Sequence, residues 1–187
     1  MRITFARHGE SEANLGRVVA NRGLSHPLTP SGRRQARELA EALTGRGVSF
    51  VYVSPLLRAI ETGIVVAHAL AVPLAVEPAL REFDMGVYEG RSDHEAHRVY
   101  AVVRDAWLAD PDSEVHPEGG ERLAEVRGRL DAFLAALPAR HTADAHVVCV
   151  GHGGLFRVAL PDRLEPSAGA HLRAHGVEVG GALVVEA

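Results

Sequence analysis

Two arginines and two histidines in this chain stand just beyond the ends of apolar runs, and their types suit chemistry on a phosphate. "ITFARHGESEAN", residues 3–14, passes from Phe5 into Arg7 and His8; "VYVSPLLRA" leads from Val53 through Ser54 to Arg58; "HVVCVGHGG" leads from Val150 to His152. Arginine offers a planar, permanently charged fork that matches phosphate oxygens. A neutral imidazole nitrogen is a competent nucleophile toward phosphorus, and cationic neighbours stabilise charge on the equatorial oxygens during in-line transfer. Gly153 and Gly154 are expected to open a helix whose free N–H groups attract the same anion. These residues predict that Arg7 holds a phosphate and His8 attacks it. An alkoxide leaving group must also be protonated as the P–O bond breaks, which is worth about 10²–10⁴-fold in rate. In "REFDMGVYEG" the carboxyl groups of Glu82, Asp84 and Glu89 are equally eligible for that task.

Other chemistries fit the residues less well. "GESEA" falls short of a G-x-S-x-G nucleophile elbow because Ala13 stands at the second glycine, which weakens Ser11 as an esterase nucleophile. "GHGGLF" is half of a dinucleotide fingerprint with Phe156 at the last glycine position. A cysteine phosphatase needs an arginine six residues beyond its cysteine, where this chain has Leu155; Cys149, the single cysteine, reads as core. "DPDSE" has paired aspartates but follows a helical pattern rather than a strand. His94 and His97 are three apart, where a zinc-binding helix wants four, and they read as a solvated face. All twenty basic residues are arginine, so Schiff-base chemistry, serine-lysine dyads and the P-loop lysine are excluded.

The elements that must position these residues follow from hydrophobic periodicity. Strands are expected at Ile3–Phe5, Phe50–Val53, His146–Val150 and Ala182–Val185, with a short one at Leu74–Val76. A helix begins with Thr29 as cap and Pro30 at its first position, placing Ala36, Leu39, Ala40 and Leu43 on one face. A second follows Ser54-Pro55 with the same cap chemistry and is expected to bury Leu57, Ile60 and Ile64. A third runs from Glu121 to Leu137 with Leu123, Val126, Leu130, Phe133, Leu134 and Leu137 at spacings of three and four. Strands separated by such helices predict a three-layer α/β/α fold, a mostly parallel sheet with helices on both faces. Such sheets bind ligands at the carboxyl ends of their strands, where the arginines and histidines stand.

Composition sets the frame. At 187 residues the chain is expected to form one domain, 1–187, burying roughly 70% of its unfolded surface. It is 47% hydrophobic and 24% charged with a net charge of −4, which argues against nucleic acid as a partner. No basic leader and no apolar stretch of about 20 residues is present, so a membrane partner is not expected and the location reads as cytoplasmic. The least regular stretch, 91–120, carries one helix over Asp93–Leu108 and then "ADPDSEVHPEGG". It is either an insertion or a lid, and His94, Arg98, Arg104 and Trp107 are expected to shape the pocket around the non-phosphate part of a substrate.

Six motifs in order, "RHGESEAN", "PLTPSGRRQA", "SPLLRAIET", "LREFDMGVYEG", "PEGG" and "GHGG", resemble the histidine phosphatase superfamily, in the branch of cofactor-dependent phosphoglycerate mutases and small bacterial phosphatases. The resemblance spans Ile3 to Arg157 and implies a phosphoglycerate mutase-like fold. It implies a phosphohistidine on His8, a phosphate pocket of Arg7, Arg58 and His152 with Gly153, further contacts from Asn14 and Ser11, and no metal or other cofactor. It selects Glu82 as the general acid among the three carboxylates. His26 departs from the acidic or amide residue usual before "PLT", and Gly63 from the alanine common after "ET". The length favours a phosphomonoesterase of a small phosphorylated metabolite, monomeric or homodimeric, over a mutase. A non-catalytic phospho-ligand module is the remaining alternative. Beyond Arg157 only local pattern speaks, and it suggests a further strand pair.

Overall fold

The apolar runs form a single five-stranded sheet in the computed structural model, which describes residues 1–186. The strands are β1 (Arg2–Arg7), β2 (Val48–Val53), β3 (Leu74–Val76), β4 (His146–Gly151) and β5 (Ala182–Glu186), in the order β3-β2-β4-β1-β5. The first four are parallel, and β5 closes the edge antiparallel to β1. Central β4 is buried at every position, as a strand covered on both faces must be, and its uninterrupted apolar run reflects this. Successive residues serve opposite faces. Val147 and Cys149 join one core with Phe5 and Tyr52; Val148 and Val150 join the other with Val51 and Val53.

The described residues also form seven α-helices: α1 (Glu12–Gly16), α2 (Pro30–Leu43), α3 (Leu57–Leu70), α4 (His94–Ala109), α5 (Leu123–Arg140), α6 (Gly153–Ala159) and α7 (Pro166–His175). Thr29 caps α2, its hydroxyl oxygen accepting from the Gly32 N–H, and Asp93 caps α4 through the Ala96 N–H. Leu39, Leu43 and Val66 of α2 and α3 pack on one sheet face. Val103 and Trp107 of α4, Leu130 and Phe133 of α5 and Phe156 of α6 pack on the other. The three-layer expectation holds. Among the described residues, no helix is long and apolar enough to cross a membrane.

Three local expectations are corrected. Helix α3 turns Arg58, Ala59, Thr62, Gly63, Val66 and Ala67 inward, while Ile64 is 54% exposed and Leu57 and Ile60 are half-buried. Small and polar residues win the inner face because the helix lies close against the sheet and delivers Arg58 to its edge. Ser54 is not the cap of that helix; Leu56 occupies the position, with its N–H donating to Ser54 Oγ at 3.3 Å. After Arg157 the described residues form α7 and one strand, β5, not a strand pair.

Register brings the strand ends into line. Arg7 lies opposite Gly151, and Val53 opposite Val150. The His8 N–H then donates to Gly151 O at 3.1 Å and the Ser54 N–H to Val150 O at 2.9 Å, extending the ladder one step past the strands. His8, Ser54 and His152 therefore emerge side by side at one edge.

Candidate active site

A cavity of about 360 Å³ opens above that edge, lined among others by Arg7, His8, Asn14, Arg58, Glu82 and Gly153. The aligned strand ends supply the first two residues, α1 supplies Asn14, α3 supplies Arg58, and the start of α6 supplies Gly153. Glu82 reaches in from the segment between β3 and α4.

His8 is 3% exposed, and its tautomer follows from its partners. Gly9 O can only accept, so Nδ1 carries the proton and donates to it at 2.7 Å. Nε2 is left as a lone pair, and Arg58 Nε–H donates to it at 3.1 Å. Burial, then the Arg58 charge, hold the ring well below the ordinary imidazole range, against the Gly9 hydrogen bond, so His8 stays neutral and nucleophilic.

Arg58 ties the centre together. Its Nη1 donates to Ala20 O at 2.7 Å and its Nη2 to His152 Nδ1 at 3.3 Å, which places the His152 proton on Nε2, donated to Ser54 Oγ at 2.7 Å. Burial pushes the Arg58 guanidinium down to about 10, leaving it charged at neutral pH. Arg7 Nη1 donates to Val177 O at 3.1 Å, whereas its Nε is buried without a hydrogen-bond partner among the described residues. A buried, unsatisfied guanidinium nitrogen at a cavity wall suits an anionic ligand.

The three carboxylates left open by the sequence differ sharply in place. Glu82 is 7% exposed and faces the cavity, with Oε1 accepting from the Phe83 N–H at 3.0 Å and Oε2 from the Gly154 N–H at 2.9 Å. Burial pushes its carboxyl up despite those hydrogen bonds and the Arg58 charge, favouring the protonated form an acid needs. Asp84 pairs with Arg22 through two hydrogen bonds of 2.8 and 2.7 Å. Glu89 accepts from the Asn21 and Met85 N–H groups at 2.7 and 2.9 Å, joining two loops.

The remaining expectations fare unequally. Asn14 faces the cavity, its Oδ1 accepting from both Ser11 N–H and Ser11 Oγ–H at 2.9 Å, which leaves its amide N–H₂ for a ligand. Ser11 itself is fully buried and does not line the cavity; it orients Asn14. His152 is 1% exposed and stands behind His8, ring centroids 5.0 Å apart. The α6 N-terminus, expected to hold phosphate, is occupied by Glu82, which takes the Gly154 and Leu155 N–H groups and leaves Gly153 at the cavity. A side chain at Gly154 would put Cβ 2.7 Å from both Glu82 Oε2 and Tyr100 Oη, so this close approach requires glycine.

Of the four pocket residues expected from 91–120, only Arg104 lines the cavity. His94 and Arg98 are exposed, and Trp107 is core, its Nε1–H donating to Val115 O at 2.6 Å. His97 and Tyr100 line the cavity instead, and His97 is not on a solvated face. Their signal was the spacing 97, 100, 104 beside the buried stripe Ala96, Val103 and Trp107. Among the described residues no group of three or more His, Cys, Asp or Glu is placed to hold a metal ion.

Comparison with known proteins identifies the family. The family model for the histidine phosphatase superfamily (branch 1) matches residues 3–181. Phosphoserine phosphatase 1 of Hydrogenobacter thermophilus is 33% identical over 154 residues, covering 81% of this chain and 71% of that protein. Phosphoglycerate mutase-like protein 4 of Arabidopsis thaliana is 32% identical over 168 residues, covering 89% and 72%. The structure of mycobacterial glucosyl-3-phosphoglycerate phosphatase, solved as a VO3 complex, superposes with a TM-score of 0.81 at 28% identity, covering 98% of this chain and 91% of that one. With a family match across nearly its whole length and relatives above 30% identity, the chain belongs to branch 1 of the histidine phosphatase superfamily.

Proposed function

We propose that the protein is a phosphomonoesterase acting on small phosphorylated metabolites through a phosphohistidine on His8. The observation that carries this reading is the His8 Nε2 lone pair, fixed by the Gly9 hydrogen bond and faced by Arg58, with Glu82 in the same cavity. The substrate's phosphate draws hydrogen bonds from Arg7, Arg58 and the Asn14 amide, and Arg58 exchanges its bond to Nε2 for one to a phosphate oxygen. His8 Nε2 then bonds to phosphorus as the ester P–O bond breaks, and the Glu82 carboxyl gives its proton to the departing oxygen. In the second half, Glu82 takes a proton from water as that water attacks phosphorus, the P–N bond breaks, and phosphate leaves. His152 and Ser11 serve as positioning residues for Arg58 and Asn14, and the arginines perform the charge neutralisation a metal performs elsewhere.

The same reading takes the chain as one domain with 91–120 as its lid, since α4 supplies a cavity wall through His97, Tyr100 and Arg104. It takes the protein as cytoplasmic and as a monomer or homodimer, on the composition argued above. A mutase would use the same groups, and similarity to a phosphoglycerate mutase-like protein keeps that second reading in view. Assaying phosphate release from a panel of phosphorylated metabolites in excess chelator separates the two. We expect release that is lost in His8→Ala. Formation of an isomeric phosphate ester without release would establish the mutase, and no turnover of any ester would overturn both.

A further inference from the structure

Gly9 O keeps the His8 proton on Nδ1, so whatever holds that carbonyl also holds the ring. Glycine has no side chain to restrict its dihedral angles, and the direction of its carbonyl depends on the two peptides that flank it. Both are anchored from outside β1. The Gly9 N–H, in the peptide before it, donates to Thr62 Oγ1 of α3 at 3.1 Å. The Glu10 N–H, in the peptide after it, donates to Gln35 Oε1 of α2 at 2.8 Å.

In a planar trans peptide the N–H and C=O point in opposite directions. Gly9 O and the Glu10 N–H belong to one such peptide, so Gln35 on one side directs Gly9 O toward His8 on the other. Thr62 is fully buried, and its one hydroxyl proton goes to Arg58 O at 2.7 Å, one turn back on α3. That bond fixes the rotamer and leaves a lone pair to accept from Gly9. Through this hydroxyl the turn bearing Arg58 is tied to the segment bearing His8. Space is closed as well, since a Cβ on Gly9 would lie 2.4 Å from Gly32 O of α2.

These anchors matter most once phosphate is bound. Beforehand, the Arg58 Nε–H also marks Nε2 as the lone pair. In the reaction proposed above, Arg58 turns to a phosphate oxygen, and Gly9 O is left to keep the proton off Nε2. We propose that Gln35 and Thr62 are positioning residues for His8, acting through the two peptides of Gly9 to keep Nε2 bare and aimed at phosphorus. This rests on the phosphohistidine reading, which it deepens.

Nitrogen-15 NMR of the histidine rings with inorganic phosphate bound reads the tautomer. In the wild type we expect His8 to be protonated on Nδ1 and bare on Nε2. Gln35→Met and Thr62→Val each remove an acceptor at nearly constant volume, and in each the two His8 signals should move toward one another. Single-turnover phosphorylation should fall by about tenfold, the worth of one hydrogen bond, with KM little changed. Gln35→Glu keeps the acceptor oxygen and Thr62→Ser keeps the hydroxyl, and each should recover most of the rate and the wild-type signals. Thr62→Val leaves a buried N–H without a partner, so rates are compared per folded molecule, and the partly exposed Gln35 gives an arm that spares the core. The spectrum requires no turnover. A tautomer shift in a protein that forms no phosphohistidine would therefore sink the chemistry and keep the anchors. His8 signals unmoved in both Gln35→Met and Thr62→Val would overturn the proposal, as would losses of rate shared by Gln35→Glu and Thr62→Ser.

Discussion

Two hydrogen bonds prepare the His8 ring for the proposed attack: Gly9 O holds the proton on Nδ1, and Arg58 meets the lone pair on Nε2. Replacing Arg58 by lysine keeps the charge but removes the fork that reaches Ala20 O, His8 and His152 together. We expect Arg58→Lys to lower kcat by about 10²–10³, the cost of losing an aimed donor, with little change in melting temperature. Near-normal turnover with altered stability would make Arg58 structural. Glu82 permits a sharper test because its carboxyl is pushed up by burial. Glu82→Gln should cost about 10²–10⁴ in single-turnover phosphorylation by an alkyl phosphate and far less with p-nitrophenyl phosphate, whose leaving group departs unaided. Wild-type rates with the alkyl ester should likewise fall as pH rises through the elevated Glu82 value, with no matching fall for the aryl ester. Equal losses for both esters in Glu82→Gln would send the search for the acid elsewhere. At this scale the sequence was legible where side chains follow strand ends, as at Arg7 and His8, which line the cavity; His152 also follows its strand end but lies behind His8, not in the phosphate pocket expected for it. The sequence could not separate Glu82 from Asp84 and Glu89, because only folding decides which carboxylate faces the cavity and which takes Arg22 or a loop N–H. It also misjudged Ser11 and His97, whose types suit either surface or site.

Among the elements, α3 was the least legible. A rule that buries the largest apolar residues selects Leu57, Ile60 and Ile64, but the helix packs so near β2 that only small residues fit inside. A Cβ on Gly63 would lie 2.1 Å from Val53 Cγ1 and 3.2 Å from Leu74 Cδ1. Gly63→Ala should therefore destabilise the protein by about 1–3 kcal/mol, the cost of overpacking a filled core. Val53→Ala in the same chain should recover much of that loss, a coupling that denaturant melts of the four variants measure directly. Additive effects would show that α3 moves outward freely. Helix α2 was legible because cap and apolar spacing agreed, Thr29 with Leu39 and Leu43, and α5 because its apolar residues recur at spacings of three and four. Beyond Arg157, α7 gave a weaker signal, since its ten residues bury only Gly169 and Leu172.

For the molecule as a whole, burying the two histidines of the candidate site ties stability to pH. His8 and His152 are both held well below the ordinary imidazole range, first by burial and then by Arg58. The unfolded chain protonates these rings near its ordinary value of about 6.5, before the folded chain does. Their contribution to stability is therefore complete above about pH 6.5 and declines as pH falls toward the folded values. Glu82 acts with the opposite sign, since its raised folded value favours folding most at low pH. The difference between wild type and His152→Gln isolates one ring: the melting temperature of the variant should fall less between pH 7 and pH 5. An unchanged slope would mean that His152 is not held neutral. The three layers and the mostly parallel sheet were legible because they follow from a repeated strand–helix alternation, whereas the order β3-β2-β4-β1-β5 was not. The placement of α4 over the cavity was not, because nothing local to 91–120 states where the insertion folds back.

The phosphohistidine is tested most directly by rapid acid and alkaline quenching of the protein mixed with a ³²P-labelled phosphomonoester. Nucleophilic attack by His8 Nε2 predicts protein-bound label that is lost in acid, survives alkali, and is absent from His8→Ala. Label that survives acid, or that forms undiminished in His8→Ala, would contradict the assignment and place the covalent chemistry on another side chain.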